Sequence, residues 1–300
     1  MQHNYVMTLI AGKPDDQPLS AALAGFVRDM LDQHAVSGGD PAVLCDRVAL
    51  DIPLVQMPDI ALFHTIRDKM DEHAVDVMVQ PLASRRKKLL LADMDSTIVV
   101  QETLDELAAR AGIGEQVADI TRRAMNGEIY FEEALRQRVG LLKDLPLSVI
   151  EETIAATTIM AGAQTLVATM KKHGAHCVLI SGGFTQFTGH IAGLLGFDDH
   201  YGNVLMTDGD HLTGQVGMPI LGKAAKLATL RDYVEDMRLS PDETVAIGDG
   251  ANDIDMLQNA GLGVGFHPRP KVAAEVQNLV KHGDLTAVLY AQGYHRDMFV

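Results

Sequence analysis

Four short apolar runs, LLLADMD (89–95), HCVLISGG (176–183), ETVAIGDGAND (243–253) and GLGVGF (261–266), each stop abruptly in small or acidic residues, with helical patterning between them. Strands covered on both faces read as continuous apolar runs, and crossover helices between them make the sheet parallel. The pattern predicts a Rossmann-like α/β sheet. Ligands of such sheets bind in the crevice beyond the carboxyl ends of the strands, so Asp93, Asp95, Ser181 and Asp249 are all expected on one edge.

The chain ahead of the first run has a different texture. YVMTLIAG (5–12) reads as a strand, SAALAGFVRDMLDQH (20–34) as a helix, and AVLCDRVALDIPL (42–54) as an extended stretch with a break. A second helix, IALFHTIRDKMDEH (60–73), leads to a closing strand, VDVMVQPL (75–82). This order predicts a small ferredoxin-like α+β unit over residues 1–85, followed by a main domain over 86–300. The basic ASRRKK (83–88) between them reads as a linker or a solvated helix end.

Within the main domain, residues from about 102 to 160 carry no strand pattern. LDELAARA, GEQVADITRRAMNG (114–127), YFEEALRQRVGLLKDL and LSVIEETIAATTI read as successive helices inserted into the α/β framework. NVLMTDGDHLTGQV (203–216) has a turn signal between two extended arms and predicts a hairpin.

Charge narrows the partners. Aspartate and glutamate number 40 against 25 lysines and arginines, a net charge of −15, which argues against nucleic acid or an anionic membrane surface as partner. An anionic substrate then needs local cations. The two cysteines, Cys45 and Cys177, lie far apart beside apolar neighbours and read as buried free thiols, which suits a reducing cytoplasm. The first residues lack a basic leader and no window approaches a membrane span, so the chain reads as soluble and unprocessed.

The first run ends in two like charges, Asp93 and Asp95, which face the same way on an extended segment. Crowded carboxylates are costly unless protonated, paired or bound to a cation. A hard ion such as Mg²⁺, with Asp249 as a further ligand, would relieve the repulsion. Ser181 with Gly182 and Gly183 after a buried strand suits an anion cradle, although a simple tight turn uses the same residues. Lys226 and Lys223 are rival phosphate holders. Arg136 and Arg138 share a helix with Glu132 and Glu133, where surface pairing is the ordinary role.

The ordered motifs DMDSTIVVQET, YFEEALRQRV, SGGF, LGKAAK and GDGANDIDML resemble those of the phosphoserine phosphatases in the haloacid dehalogenase-like superfamily, over residues 89 to 300. The resemblance implies Asp93 as nucleophile and Asp95 as general acid and base. It implies Mg²⁺ held by Asp93, the Asp95 carbonyl and Asp249, with Ser181, Gly182, Lys226 and Asn252 on the phosphate and Asp253 behind the metal. The inserted helices would be the family's cap. In it, Glu102 would meet the substrate ammonium, Arg138 its carboxylate, and Phe131 would pack over the bound serine. Many relatives carry Phe where this chain has Met94, whose side chain should point away from the two acids.

The implied activity is hydrolysis of O-phospho-L-serine through an aspartyl-phosphate, the last step of serine biosynthesis. Two other readings share some of these residues: a phosphotransferase with an alcohol acceptor, and a receiver-like regulatory protein without turnover. Residues 1–85 resemble ACT-like amino-acid-binding domains in the order of their elements. Serine binding there, or a packing or homodimerisation role without ligand, both fit that order.

Overall fold

The computed structural model describes residues 2–125 and 128–300. The helix expected over 114–127 therefore ends on two residues, 126 and 127, that lie outside the described residues, as does Met1. No helix among the described residues is long and apolar enough to cross a membrane.

The N-terminal part runs β1 (Tyr5–Ala11), α1 (Ala21–Gln33), β2 (Ala42–Cys45), β3 (Ala49–Leu54), α2 (Ile60–Asp71) and β4 (Val75–Pro81). Its antiparallel sheet has the order β2-β3-β1-β4, the ferredoxin-like arrangement expected from the element order. Each helix starts on a side-chain cap: Ser20 Oγ accepts the Leu23 N–H and Asp59 Oδ1 the Leu62 N–H. Alternation along the strands splits the sheet into two faces. Met7, Leu9, Ile52, Val77 and Val79 pack under the helices. Ile10, Ala49 and Met78 turn the other way and join the core of the rest of the molecule.

That remainder runs β5 (Leu89–Ala92), the inserted helices α3 (Thr103–Arg110), α4 (Gly114–Met125), α5 (Phe131–Gly140) and α6 (Ser148–Ala155), then α7 (Ala163–Lys172) and β6 (His176–Phe184). There follow α8 (Thr185–Leu195), β7 (Asp199–Asn203), the hairpin β8 (Leu205–Asp208) and β9 (His211–Val216), and α9 (Lys223–Asp236). The chain closes with β10 (Thr244–Gly248), α10 (Ile254–Asn259), β11 (Leu262–Phe266), α11 (Pro270–Glu275), β12 (Asn278–Val280) and α12 (Ala287–Ala291). The sheet order is β12-β11-β10-β5-β6-β7, every pair parallel. From β5 the chain builds outward to β7 and then returns to the opposite side of β5 with β10. The crevice of such a sheet opens where its order reverses, here between the ends of β5 and β10.

The inserted helices leave and rejoin at one point. An isolated bridge joins Val99 to Ile159, flanked by hydrogen bonds from Val100 N–H to Thr158 O (3.0 Å) and from Met160 N–H to Ile98 O (2.9 Å). The predicted hairpin is present and leans on the insertion, the Asp144 N–H donating to Leu212 O at 2.8 Å.

Two expectations need correction. The basic run after β4 is neither a free linker nor a solvated helix end. Arg85 donates to both Asp51 oxygens at 2.6 Å and to the carbonyls of Tyr290 and Ala291. The Arg86 guanidinium lies 3.6 Å from the Tyr294 ring centre, and Lys87 is buried with its Nζ donating to Asp242 O. Burial pushes the Lys87 amine down to about 8. Of the two free thiols, Cys177 is buried and pushed up to about 12 by that burial, whereas Cys45 is only half-buried.

Arg85 and Asp51 are 12% and 7% exposed. Removing one partner of a buried pair strands the other charge, a loss of about 3–5 kcal/mol. Arg85→Ala is expected to lower stability by that amount in urea denaturation. A loss below about 1 kcal/mol, the value of an exposed pair, would show that water reaches Asp51.

Candidate active site

Asp93 is the first residue beyond β5, and its N–H continues the ladder by donating to Ile247 O at 3.0 Å. One carboxylate oxygen, Oδ1, accepts the Met94 N–H at 2.8 Å and faces Lys226 Nζ at 2.7 Å. Lys226 also donates to Asp253 Oδ1 at 2.5 Å. Asp249 leaves the end of β10 next door, and carboxylate oxygens of Asp93, Asp249 and Asp253 lie within 4.8 Å of one another. Gly248 is required for this approach: a Cβ there would come within 2.4 Å of the Asp253 carboxyl carbon. Of the two rival lysines, α9 turns Lys226 inward and Lys223 outward, to Asp255 at 3.0 Å.

Charge is poorly balanced here. Burial, with the Asp253 and Asp95 carboxylates adding to it, pushes Asp93 well above the usual carboxylate range against the pull of Lys226. Asp249 is raised by burial and by Asp253, against Arg269. Burial works against the Lys226 ammonium, yet Asp93 and Asp253 outweigh it and hold the group charged. Three convergent carboxylates, offering only oxygen, suit a hard divalent cation.

Asp95 does not turn its carboxylate into this cluster. Its Oδ1 accepts the N–H (2.8 Å) and Oγ–H (2.6 Å) of Thr103, at the first turn of α3, and its Oδ2 accepts the Ser181 hydroxyl at 2.7 Å. Ser181 Oγ in turn accepts the Gly183 N–H. Met94, between the acids, is wholly buried in the core, as strand alternation requires.

A cavity of about 410 Å³ opens over these groups. Asp93, Asp95, Glu102, Phe131, Arg138, Ser181, Gly182, Asp249 and Asn252, all singled out from the sequence, line it, while Lys226 and Asp253 stand behind Asp93. Phe131 caps it at the start of α5, the nearest atom to where a Cβ on Gly182 would project. Arg138 is half-buried, its Nε donating to Ala134 O, with burial pulling its pKa down against the attraction of the Asp105 and Glu102 carboxylates. Arg136 points out to Met218.

Two contributors have no assignment from the sequence. Thr103 fixes Asp95. Arg269, just past β11, bridges the site, with Nε on Asp249 Oδ2 at 3.1 Å and Nη2 on Glu102 Oε1 at 2.5 Å. Burial and Asp95 push Glu102 upward against that guanidinium. The available signal was the position of Arg269 at the end of an apolar run, which puts it on the ligand edge.

Residues 90–258 match the family model of the haloacid dehalogenase-like hydrolases. A probable phosphoserine phosphatase of Schizosaccharomyces pombe is 44% identical over 212 residues, covering 70% of this chain and 71% of that one. In three further curated relatives the matched stretch spans 60%, 56% and 54% of the relative's length. A solved probable phosphoserine phosphatase from Vibrio cholerae superposes over 99% of this chain and 88% of its own, with TM-score 0.77 and 29% identity. A phosphoserine phosphatase solved as a phospho-aspartyl intermediate analogue covers 68% of this chain and 98% of its own, with TM-score 0.63 and 38% identity. On its matched motifs and the parallel sheet that carries them, the chain belongs to the haloacid dehalogenase-like hydrolases.

Proposed function

We propose that this hydrolase is a Mg²⁺-dependent phosphoserine phosphatase, passing phosphate from O-phospho-L-serine to Asp93 and then to water. One observation carries the reading. A single cavity holds an anchored carboxylate, Asp93, a hydrogen-bonded acid beside it, Asp95, and two opposite charges, Glu102 and Arg138, that match the head of an amino acid. The activity for which the relatives are named supports the substrate.

Both donors to Asp93 go to Oδ1, so Oδ2 is the oxygen offered to phosphorus, and its attack forms an aspartyl-phosphate. Ser181, the Gly182 amide, Lys226 and Asn252 would take the phosphate oxygens. Asp93, Asp249 and the Asp95 carbonyl would hold Mg²⁺, with Asp253 behind, and the ion would supply the positive charge that lets two anions meet. The leaving serine oxygen needs a proton. Asp95 Oδ2 gives it, once Ser181 turns from Asp95 to the phosphate, and the same oxygen then takes a proton from the attacking water. Glu102 binds the ammonium and Arg138 pairs bidentately with the carboxylate, under the Phe131 ring.

The division of labour we propose puts the chemistry in residues 86–300, with the helices of 102–160 as cap, and a regulatory or structural role in residues 1–85. Serine binding by the latter, and a homodimer, rest only on the ACT-like order of elements. The proposed setting is the cytoplasm, in serine biosynthesis, which two unpaired cysteines support.

Phosphate release from a panel of phosphomonoesters tests the reading. Phosphoserine should be the best substrate, with release dependent on Mg²⁺ and stopped by chelator. Chelator-resistant turnover, or preference for a sugar phosphate, would overturn it.

The two acids separate by leaving group. Asp95→Asn should still transfer phosphate from p-nitrophenyl phosphate, whose leaving group needs no proton, but hydrolyse the intermediate slowly. An initial burst approaching one nitrophenol per site is expected in rapid-mixing absorbance. Asp93→Asn should show none, and a burst from it would remove Asp93 as nucleophile.

Arg138→Ala should weaken use of phosphoserine roughly tenfold or more relative to p-nitrophenyl phosphate, as expected for loss of a charge-assisted contact. Equal losses in kcat/KM on both substrates would take Arg138 out of the specificity pocket.

A further inference from the structure

Asp76 lies on the β4 face turned away from the N-terminal helices, and is 4% exposed. Its carboxylate caps three successive amides of a distant loop: Oδ1 accepts the N–H of Lys281 (2.8 Å) and of His282 (3.2 Å), and Oδ2 that of Gly283 (2.8 Å). The neighbouring Asp71 receives the His282 imidazole at 2.7 Å. Gly12 completes the seat, since a Cβ there would come within 2.2 Å of the His282 side chain. The N-terminal sheet thus grips loop 281–283 by side chain and by shape.

That loop in turn holds the segment leaving β11. His267 Nε2 bonds to Gly283 O at 2.9 Å, and the His267 N–H donates to Val280 O at 2.8 Å. His267 sits at φ +41°, a conformation a non-glycine residue keeps only when its surroundings hold it. Beyond it the chain reads Pro268–Arg269–Pro270. Both prolines fix their own φ, and the second confines Arg269 to extended backbone, as observed at φ −62°, ψ 154°. So stiff a tripeptide passes a shift at His267 on to Arg269, whose N–H donates to Asp249 O and whose guanidinium joins Asp249 to Glu102.

We propose that Asp76 is a positioning residue of the active site: through loop 281–283 and His267 it holds Arg269 in register with Asp249 and Glu102. The N-terminal unit is then a working part of the catalytic apparatus, and anything that shifts β4 shifts the amino-acid end of the pocket. The kinetic consequence rests on the phosphoserine reading, because Glu102 is the group expected to meet the ammonium; the mechanical linkage does not.

The test uses the full chain and two readouts. In Asp76→Asn one acceptor oxygen becomes a donor facing amide hydrogens, so hydrogen exchange should lose protection at both 281–283 and 266–269. His267→Asn tolerates positive φ but withdraws the imidazole, and should expose 266–269 while leaving 281–283 protected. Asp76→Asn should lower kcat/KM for phosphoserine on the order of tenfold more than for p-nitrophenyl phosphate. In an Arg269→Met background it should change that ratio no further. A lower melting temperature with unchanged protection at 266–269 and an unchanged substrate ratio would make Asp76 merely structural and overturn the proposal. If the wild type fails to turn over phosphoserine, the functional reading falls, while coupled loss of protection in Asp76→Asn would still support the linkage.

Discussion

Three buried carboxylates converge at the carboxyl edge of the parallel sheet with one lysine among them, and most of what surrounds them answers that repulsion. Gly248 gives up its side chain so that Asp253 can come close, and α9 is placed to bring Lys226 inward. Arg269 reaches across from the end of β11. Asp95 stays out of the cluster by turning to Ser181 and Thr103. Burying like charges against one lysine is costly, and a bound cation would relieve it, as the proposed phosphoryl transfer requires.

Burial and periodicity made the framework readable. Continuous apolar runs announced parallel strands, alternation announced the N-terminal sheet, and acids at the ends of runs marked the ligand edge. Residues whose role depends on a partner far along the chain were not readable in the same way. Arg85 looks like a solvated base until Asp51, 34 residues away, is brought beside it. Arg269 finds its partners 20 and 167 residues away, distances over which charge pattern carries no information. Cys45 is half-buried because the register of β2 against β3 shifts between Val43 and Cys45, an irregularity that alternation cannot announce.

The site is assembled from both ends of the inserted helices as well as from the sheet. Thr103, in the first turn of α3, holds Asp95, while Phe131 and Arg138 come from α5. Where the insertion joins the sheet, a single bridge and two flanking hydrogen bonds connect it. The far side of the insertion is tied down as well, the Asp144 and Leu147 N–H groups donating to the hairpin carbonyls of Leu212 and Asp210 at 2.8 and 2.9 Å.

The second face of the N-terminal sheet is completed by residues near the end of the chain. Gln80 and Arg85 bond to the carbonyl of Ala291, more than two hundred residues downstream, and Ile10 and Met78 share a core with Tyr290 and Tyr294. On the ribosome this half of the sheet is made early and covered late. At roughly 5–20 residues per second, its apolar side chains wait on the order of ten to forty seconds for their partners. The growing chain therefore carries an open sheet face while those two hundred residues are made.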